Sequence, residues 1–218
     1  MKIMIVVGIP LVLLDTASAQ TKTVVDARMG VQGDKATYHL VEAFQVRGRW
    51  IVPDIGYIDF ADSDYREWFI GAGYRTLVTD RVIIANEVYF VESAGPDSRG
   101  ARYLQLWTGV FYDFTSKLGG EAVFFPYIPL NDSGRKQWVI ERAKLEYTII
   151  SWMKSGAGYG AYRFDDKKWE HKPFVTVTVT PFSGKFGSLE LWYQKLPEGK
   201  SQAQLRYKLV HINKKGGK

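Results

Sequence analysis

The sequence predicts an all-β fold, an antiparallel transmembrane β-barrel of about twelve strands. Three observations point there. No segment of twelve or more residues sustains a 3.6-residue apolar period. Short runs rich in Val, Ile, Tyr, Phe, Trp and Thr recur between clusters of Gly, Asp, Asn, Ser and Pro. Within the cleanest runs, apolar residues alternate with charged ones, which demands one oily and one wet environment. Composition agrees. The 218 residues include 15% aromatics, 24% charged residues and no cysteine, and the mean hydropathy of -0.18 excludes a helical membrane bundle. The missing thiols exclude disulfide scaffolds, cysteine nucleophiles and thiolate metal sites.

Residues 1–19 read as a cleavable export signal. Met1-Lys2 is a short basic start, Ile3 to Leu14 is apolar, and Ala17-Ser18-Ala19 is a small-residue cleavage site before Gln20. Twelve expected strands follow, at 23–32, 36–46, 50–60, 67–78, 81–93, 101–114, 120–129, 138–152, 158–164, 174–181, 188–195 and 203–212. In the first, Val25, Ala27, Met29 and Val31 oppose Asp26, Arg28, Gly30 and Gln32. In the eighth, Ala143, Leu145, Tyr147 and Ile149 oppose Arg142, Lys144, Glu146 and Thr148. Val175, Val177 and Val179 oppose threonines in the tenth. Leu189, Leu191 and Tyr193 oppose Glu190, Trp192 and Gln194 in the eleventh. The last sets Ala203, Leu205, Tyr207 and Leu209 against Gln204, Arg206 and Lys208. Two strands depart: 81–93 and 120–129 are apolar on both faces. Residues 213–218, Asn-Lys-Lys-Gly-Gly-Lys, form an expected flexible basic tail.

Alternation alone does not say which face is inside, because a soluble sandwich and a membrane barrel share it. Connection lengths favour the membrane barrel. Counted from a periplasmic N-terminus, odd connections after the first have six to nine residues and even ones two to six. Aromatics near strand ends (Trp50, Phe60, Trp68, Phe90, Tyr112, Phe114, Trp138 and Trp152) fit interfacial girdles. With its export signal, its loop asymmetry, and Gly71-Ala72-Gly73-Tyr74 and Gly156-Ala157-Gly158-Tyr159 within Tyr-rich strands, the chain resembles small Gram-negative outer-membrane β-barrel proteins. By size and strand number it is similar to the twelve-stranded acidic-oligosaccharide channel family, and in strand number only to the outer-membrane phospholipases. The resemblance implies outer-membrane location and a lumen carrying basic residues. The tail after Ile212 departs from the terminal aromatic in which many such barrels end.

If polar faces point inward, Arg28, Arg75, Arg142, Lys144, Arg163, Arg206 and Lys208 meet Asp26, Asp54, Glu67, Glu87, Asp113, Glu146 and Glu190 in the lumen. An anion channel wants an excess of basic residues, whereas paired charges fill a narrow barrel. Closure brings Asp26 and Arg28 near Arg206 and Lys208, with Glu190 one strand further. The candidate binding residues are therefore Arg28, Arg142, Lys144, Arg206 and Lys208, for small anionic solutes. Basic outer loops would meet lipids and lipopolysaccharide phosphates; the export signal argues against nucleic acid. Three histidines, His39, His171 and His211, and no cysteine imply no cofactor. An oxygen-only calcium site in 165–170 has nothing else to support it. The expected function is a non-catalytic narrow channel or structural membrane protein. The rivals are a barrel hydrolase using His171 or His39 as base, and a soluble periplasmic β protein.

Overall fold

Backbone N–H and C=O groups must all be paired when a strand faces oil, and a sheet meets that demand only by closing on itself. In the computed structural model, which describes residues 21–61, 65–95, 99–165 and 167–213, the sheet does close. It forms one antiparallel barrel in which each strand pairs with its sequence neighbours and β1 pairs with β12. The strands are β1 (Thr21–Gln32), β2 (Lys35–Arg47), β3 (Trp50–Phe60), β4 (Tyr65–Thr79), β5 (Val82–Ser93), β6 (Arg102–Asp113), β7 (Leu118–Pro129), β8 (Gln137–Ile150), β9 (Met153–Phe164), β10 (Glu170–Val179), β11 (Ser188–Lys195) and β12 (Ser201–Asn213). The expected signal segment and residues 214–218 of the expected tail lie outside the described residues.

Burial resolves the ambiguity that alternation leaves open. Val175, Leu191 and Leu145 are 55%, 51% and 51% exposed on the outer face, whereas Asp26, Arg142 and Glu190 are 1%, 3% and 6% exposed inside. The apolar belt runs round the barrel and also includes Val41, Ile55, Ile70, Val88 and Leu106. A soluble protein does not expose so continuous an apolar surface. The barrel is oily outside and polar inside, which is the membrane arrangement.

The two strands that are apolar on both faces find their reason in the interior. Tyr89 and Val91 of β5 and Val123, Phe125 and Tyr127 of β7 point inward and pack with Phe69 and Tyr103 into a dry cluster. A second cluster of Val46, Ile51 and Ala85 packs against Trp107 and Phe111. One wall of the lumen is thus aromatic with a few carboxylates among the rings, and the arginines and Lys144 line the other. At mid-strand Asn86 and Glu87 separate: Glu87 turns inward, and Asn86 faces out, where it accepts a 3.1 Å hydrogen bond from Thr108.

Several boundaries differ from expectation. β9 starts at Met153, not 158, and β10 at Glu170, not 174, so the expected loop 165–173 shrinks to 165–169. The cause is glycine. Gly156, Gly158 and Gly160 carry the inner face of β9, where no apolar alternation can show. A Cβ on Gly158 would lie 2.4 Å from the Phe174 ring and 2.8 Å from the Ala143 carbonyl oxygen. We expect Gly158→Leu to destabilise the barrel by about 1–3 kcal/mol through this overlap, read as a lower urea midpoint. The connection asymmetry holds only in part. On the end bearing the termini, four connections are short, but 180–187 is as long as 94–101 on the other end. It contains a single 3-10 turn at Pro181–Gly184 and three residues at positive φ, Phe182, Gly184 and Gly187.

Candidate functional site

Charged side chains enter the lumen from β1, β7, β8, β11 and β12, and the way they enter depends on two local features. The first is the seam, where the register sets Asp26 opposite Lys208 and Arg28 opposite Arg206. The second is a bulge in β8. Both of its ladders shift between Ile140 and its next paired residue, Arg142 on the β7 side and Ala143 on the β9 side. The bulge turns Glu141 and Arg142 inward together, where strict alternation would send one of them into lipid.

The resulting contacts form a closed cycle of alternating sign. Asp26 accepts bonds of 2.8 and 3.1 Å from Arg206 Nε and one of 3.2 Å from Arg28 Nε. Arg28 reaches across the lumen to Glu141 on β8. Glu141 lies 2.6 Å from Arg142 Nη1, and Arg142 Nε donates to Glu121 at 2.7 Å. Glu121 lies 3.0 Å from Lys144 Nζ, which donates to Glu190 at 2.5 Å. Glu190 closes the cycle with Arg206 at 3.6 Å. The Lys144–Glu190 link passes over β9 and β10, and the inward residue of β9 opposite Lys144 is Gly158. Glu146, held by a 2.8 Å bond from Thr178, lies 3.4 Å from Lys144 at the edge of the cycle. Trp192 stacks on Phe174 with centroids 4.2 Å apart, and Lys144 Nζ lies 5.6 Å from the Trp192 ring. Charges so enclosed are stable only when paired and hydrogen-bonded, and here four cations meet four carboxylates.

The five candidate binding residues all point into the lumen. Arg28, Arg142, Lys144 and Arg206 are members of the cycle. Lys208 lies beside Asp26 and makes no ion pair among the described residues. Arg75 is inward too, but at the rim, where it donates to the Gly48 carbonyl at 2.9 Å. Arg163 is a correction. Its cross-strand partner is Trp138 on the outer face, and its guanidinium lies 5.3 Å from the Trp169 ring. Phe60, expected in the outer girdle, instead packs with inward Tyr38 and Tyr65.

Glu121 and Glu141 went unrecognised in the sequence. Glu121 shares its face with Val123 and Phe125, in a strand whose two apolar faces leave alternation nothing to choose between. Glu141 was hidden by the bulge, which no residue pattern announces. On the aromatic wall, carboxylates are held by phenols. Tyr65 and Tyr127 donate to Glu67 at 2.6 and 2.8 Å, and the Tyr89 hydroxyl bridges Asp54 and Glu87 at 2.9 and 2.8 Å.

His171, expected in a loop, lies on the outer face of β10 with its Nδ1 bonded to the Tyr159 hydroxyl. Among the described residues no group of three or more His, Asp or Glu side chains is arranged to hold a metal ion.

Fold and lumen together define a closed twelve-stranded antiparallel barrel, apolar on its outer wall and charged within. Among solved structures the chain is similar to the KdgM porin, with a TM-score of 0.59 and 11% identity over 88% of this chain and 99% of that one. The KdgM porin also matches in complex with disordered oligogalacturonate, at 12% identity with the same coverage. The NanC porin matches at a TM-score of 0.59 and 12% identity, over 87% of this chain and 100% of that one. An outer membrane channel from Pseudomonas putida F1 matches at 0.51 and 12%, over 88% and 96%. At these identities the likeness is one of fold. No protein-family model matches the sequence, and the comparison with curated proteins finds no match.

Proposed function

We propose that the protein is a non-catalytic channel of the bacterial outer membrane whose narrow lumen is constricted by the eight-residue charge cycle. The observation that carries this reading is the pairing of a continuous apolar exterior with a charged strip that crosses the interior from β1 to β8. Residues 1–19 would direct export, and the termini would face the periplasm, with membrane lipids and lipopolysaccharide around the outer wall. Small charged solutes are the proposed cargo, because only ions and small molecules pass a lumen so filled. Anionic ones have a receptor in Lys208, whose ammonium is not committed to the cycle. The match to a porin holding oligogalacturonate supports that choice of charge.

Purified protein in a planar bilayer tests the reading. Discrete steps of low conductance are expected, and Lys208→Glu is expected to move the reversal potential in a salt gradient towards cation selectivity. Silent bilayers containing verified inserted protein would overturn the channel. They would favour a second reading, a structural barrel, which the near-complete enclosure of Asp26 and Arg142 supports.

A further inference from the structure

Arginines on the outer wall near the loop-bearing rim are mostly matched with carboxylates. Arg66 lies 3.5 Å from Asp59 and Arg102 lies 3.3 Å from Glu92. One sector differs. Where β8 to β10 meet the loops, Arg163 of β9 and Lys136, just before β8, meet no carboxylate within 4.0 Å among the described residues, and both lie against indoles. Lys136 Nζ lies 4.8 Å from the Trp138 ring centroid, and the Arg163 guanidinium lies 5.3 Å from that of Trp169. Trp138 is also the cross-strand partner of Arg163 and stacks on Phe124, centroids 5.9 Å apart. The Nε of Arg163 is enclosed and has no hydrogen-bond partner, so a strong donor is left over where an unmade bond is costly.

We infer that this sector binds a phosphate of an outer-leaflet lipid, with Arg163 and Lys136 as its cations and Trp138 and Trp169 as the surface beneath them. The inference rests on the outer-membrane reading proposed above, with the loops facing outward. Indoles lie at headgroup depth in membrane proteins, so cations lying over them are held at the level of lipid phosphates. A guanidinium offers paired donors that suit phosphate oxygens. The carboxylates that neutralise Arg66 and Arg102 elsewhere on the rim are replaced here by aromatic faces, which leave the cations free to take an anion. Free inorganic phosphate lacks the acyl chains that would lie along Phe124 and Trp138, so the lipid is the occupant.

The test uses full-length protein inserted into phosphatidylcholine vesicles with and without diphosphoryl lipid A, and reads lipid A retained per barrel. Wild type is expected to retain it, and Arg163→Gln with Lys136→Gln to weaken retention about tenfold. Arg163→Lys should recover part of the loss, and Arg102→Gln should change nothing. Heat-resistant gel mobility checks that each variant is folded. Lipid A stripped of its phosphates should bind wild type no better than the double variant. Equal retention by inserted wild type and inserted double variant would overturn the site alone. Displacement of lipid A by millimolar inorganic phosphate would overturn the lipid as occupant. Wild type that never enters vesicles would overturn both the site and the membrane reading.

Discussion

Replacing Asp26 by Ala is expected to destabilise the barrel by about 3–5 kcal/mol, the cost of breaking a buried ion pair from one side. Asp26 is 1% exposed and accepts from two guanidiniums, those of Arg206 and Arg28. Without it, both arginines crowd the same enclosed volume with one carboxylate each, Glu190 and Glu141. Asp26→Ala combined with Arg206→Met should recover much of the loss, since removing both charges leaves little unpaired. Urea unfolding of the two single variants and the double, followed by gel mobility, measures the coupling. Additive losses would show that the seam pair acts independently, contrary to the geometry.

The second large effect is on conductance. Glu141→Ala removes the strut that ties Arg28 on β1 to β8 across the lumen. Both of its partners retain another carboxylate, Asp26 for Arg28 and Glu121 for Arg142. The stability cost should therefore be smaller than for Asp26→Ala, while the constriction loses its crossing member. Unit conductance in a planar bilayer is expected to rise several-fold, with ion selectivity moving towards anions because a negative charge is gone. Glu146→Ala, at the edge of the cycle, is the comparison, and its conductance should change little. Equal conductance in wild type and Glu141→Ala would show that the permeation path avoids the cycle.

Much of the fold was legible because membrane strands obey a period of two. The alternation of Val175, Val177 and Val179 with threonines, and of Leu189 and Leu191 with Glu190 and Trp192, follows from pleat geometry alone. The proximity of Asp26 to Arg206 was legible too, since a closed meander of twelve strands must join its first to its last. What stayed hidden had local causes. Glycines on the inner face of β9 carry no hydrophobic signal, so that strand looked five residues shorter at its start. The bulge at Glu141 adds one residue and breaks parity for everything before it in β8. Arg163 faces outward because it alternates with inward Gly158, Gly160 and Tyr162, and glycines give that alternation no hydrophobic contrast to read. The orientation of the whole sheet was beyond alternation, which is unchanged when inside and outside are exchanged.

The seam has a consequence for assembly. Asp26 and Arg206 are 180 residues apart in the chain, so their contact is among the last that synthesis permits, and closing so long a loop is slow. Until then β1 and β12 are open edges, able to pair with each other in several registers or with a neighbouring copy. The native register sets Asp26 opposite Lys208 and one pair away from Arg206, which with Arg28 of its own strand places the carboxylate between two guanidiniums. A slip of two residues keeps every apolar side chain facing lipid, so the bilayer does not reject it. The slip that sets Asp26 opposite Val210 moves it away from Arg206 and leaves that guanidinium short of a carboxylate, which costs stability in the enclosed interior. The ion pair contributes little net stability as a bond, yet it weights the closure of the cylinder against slippage in that direction.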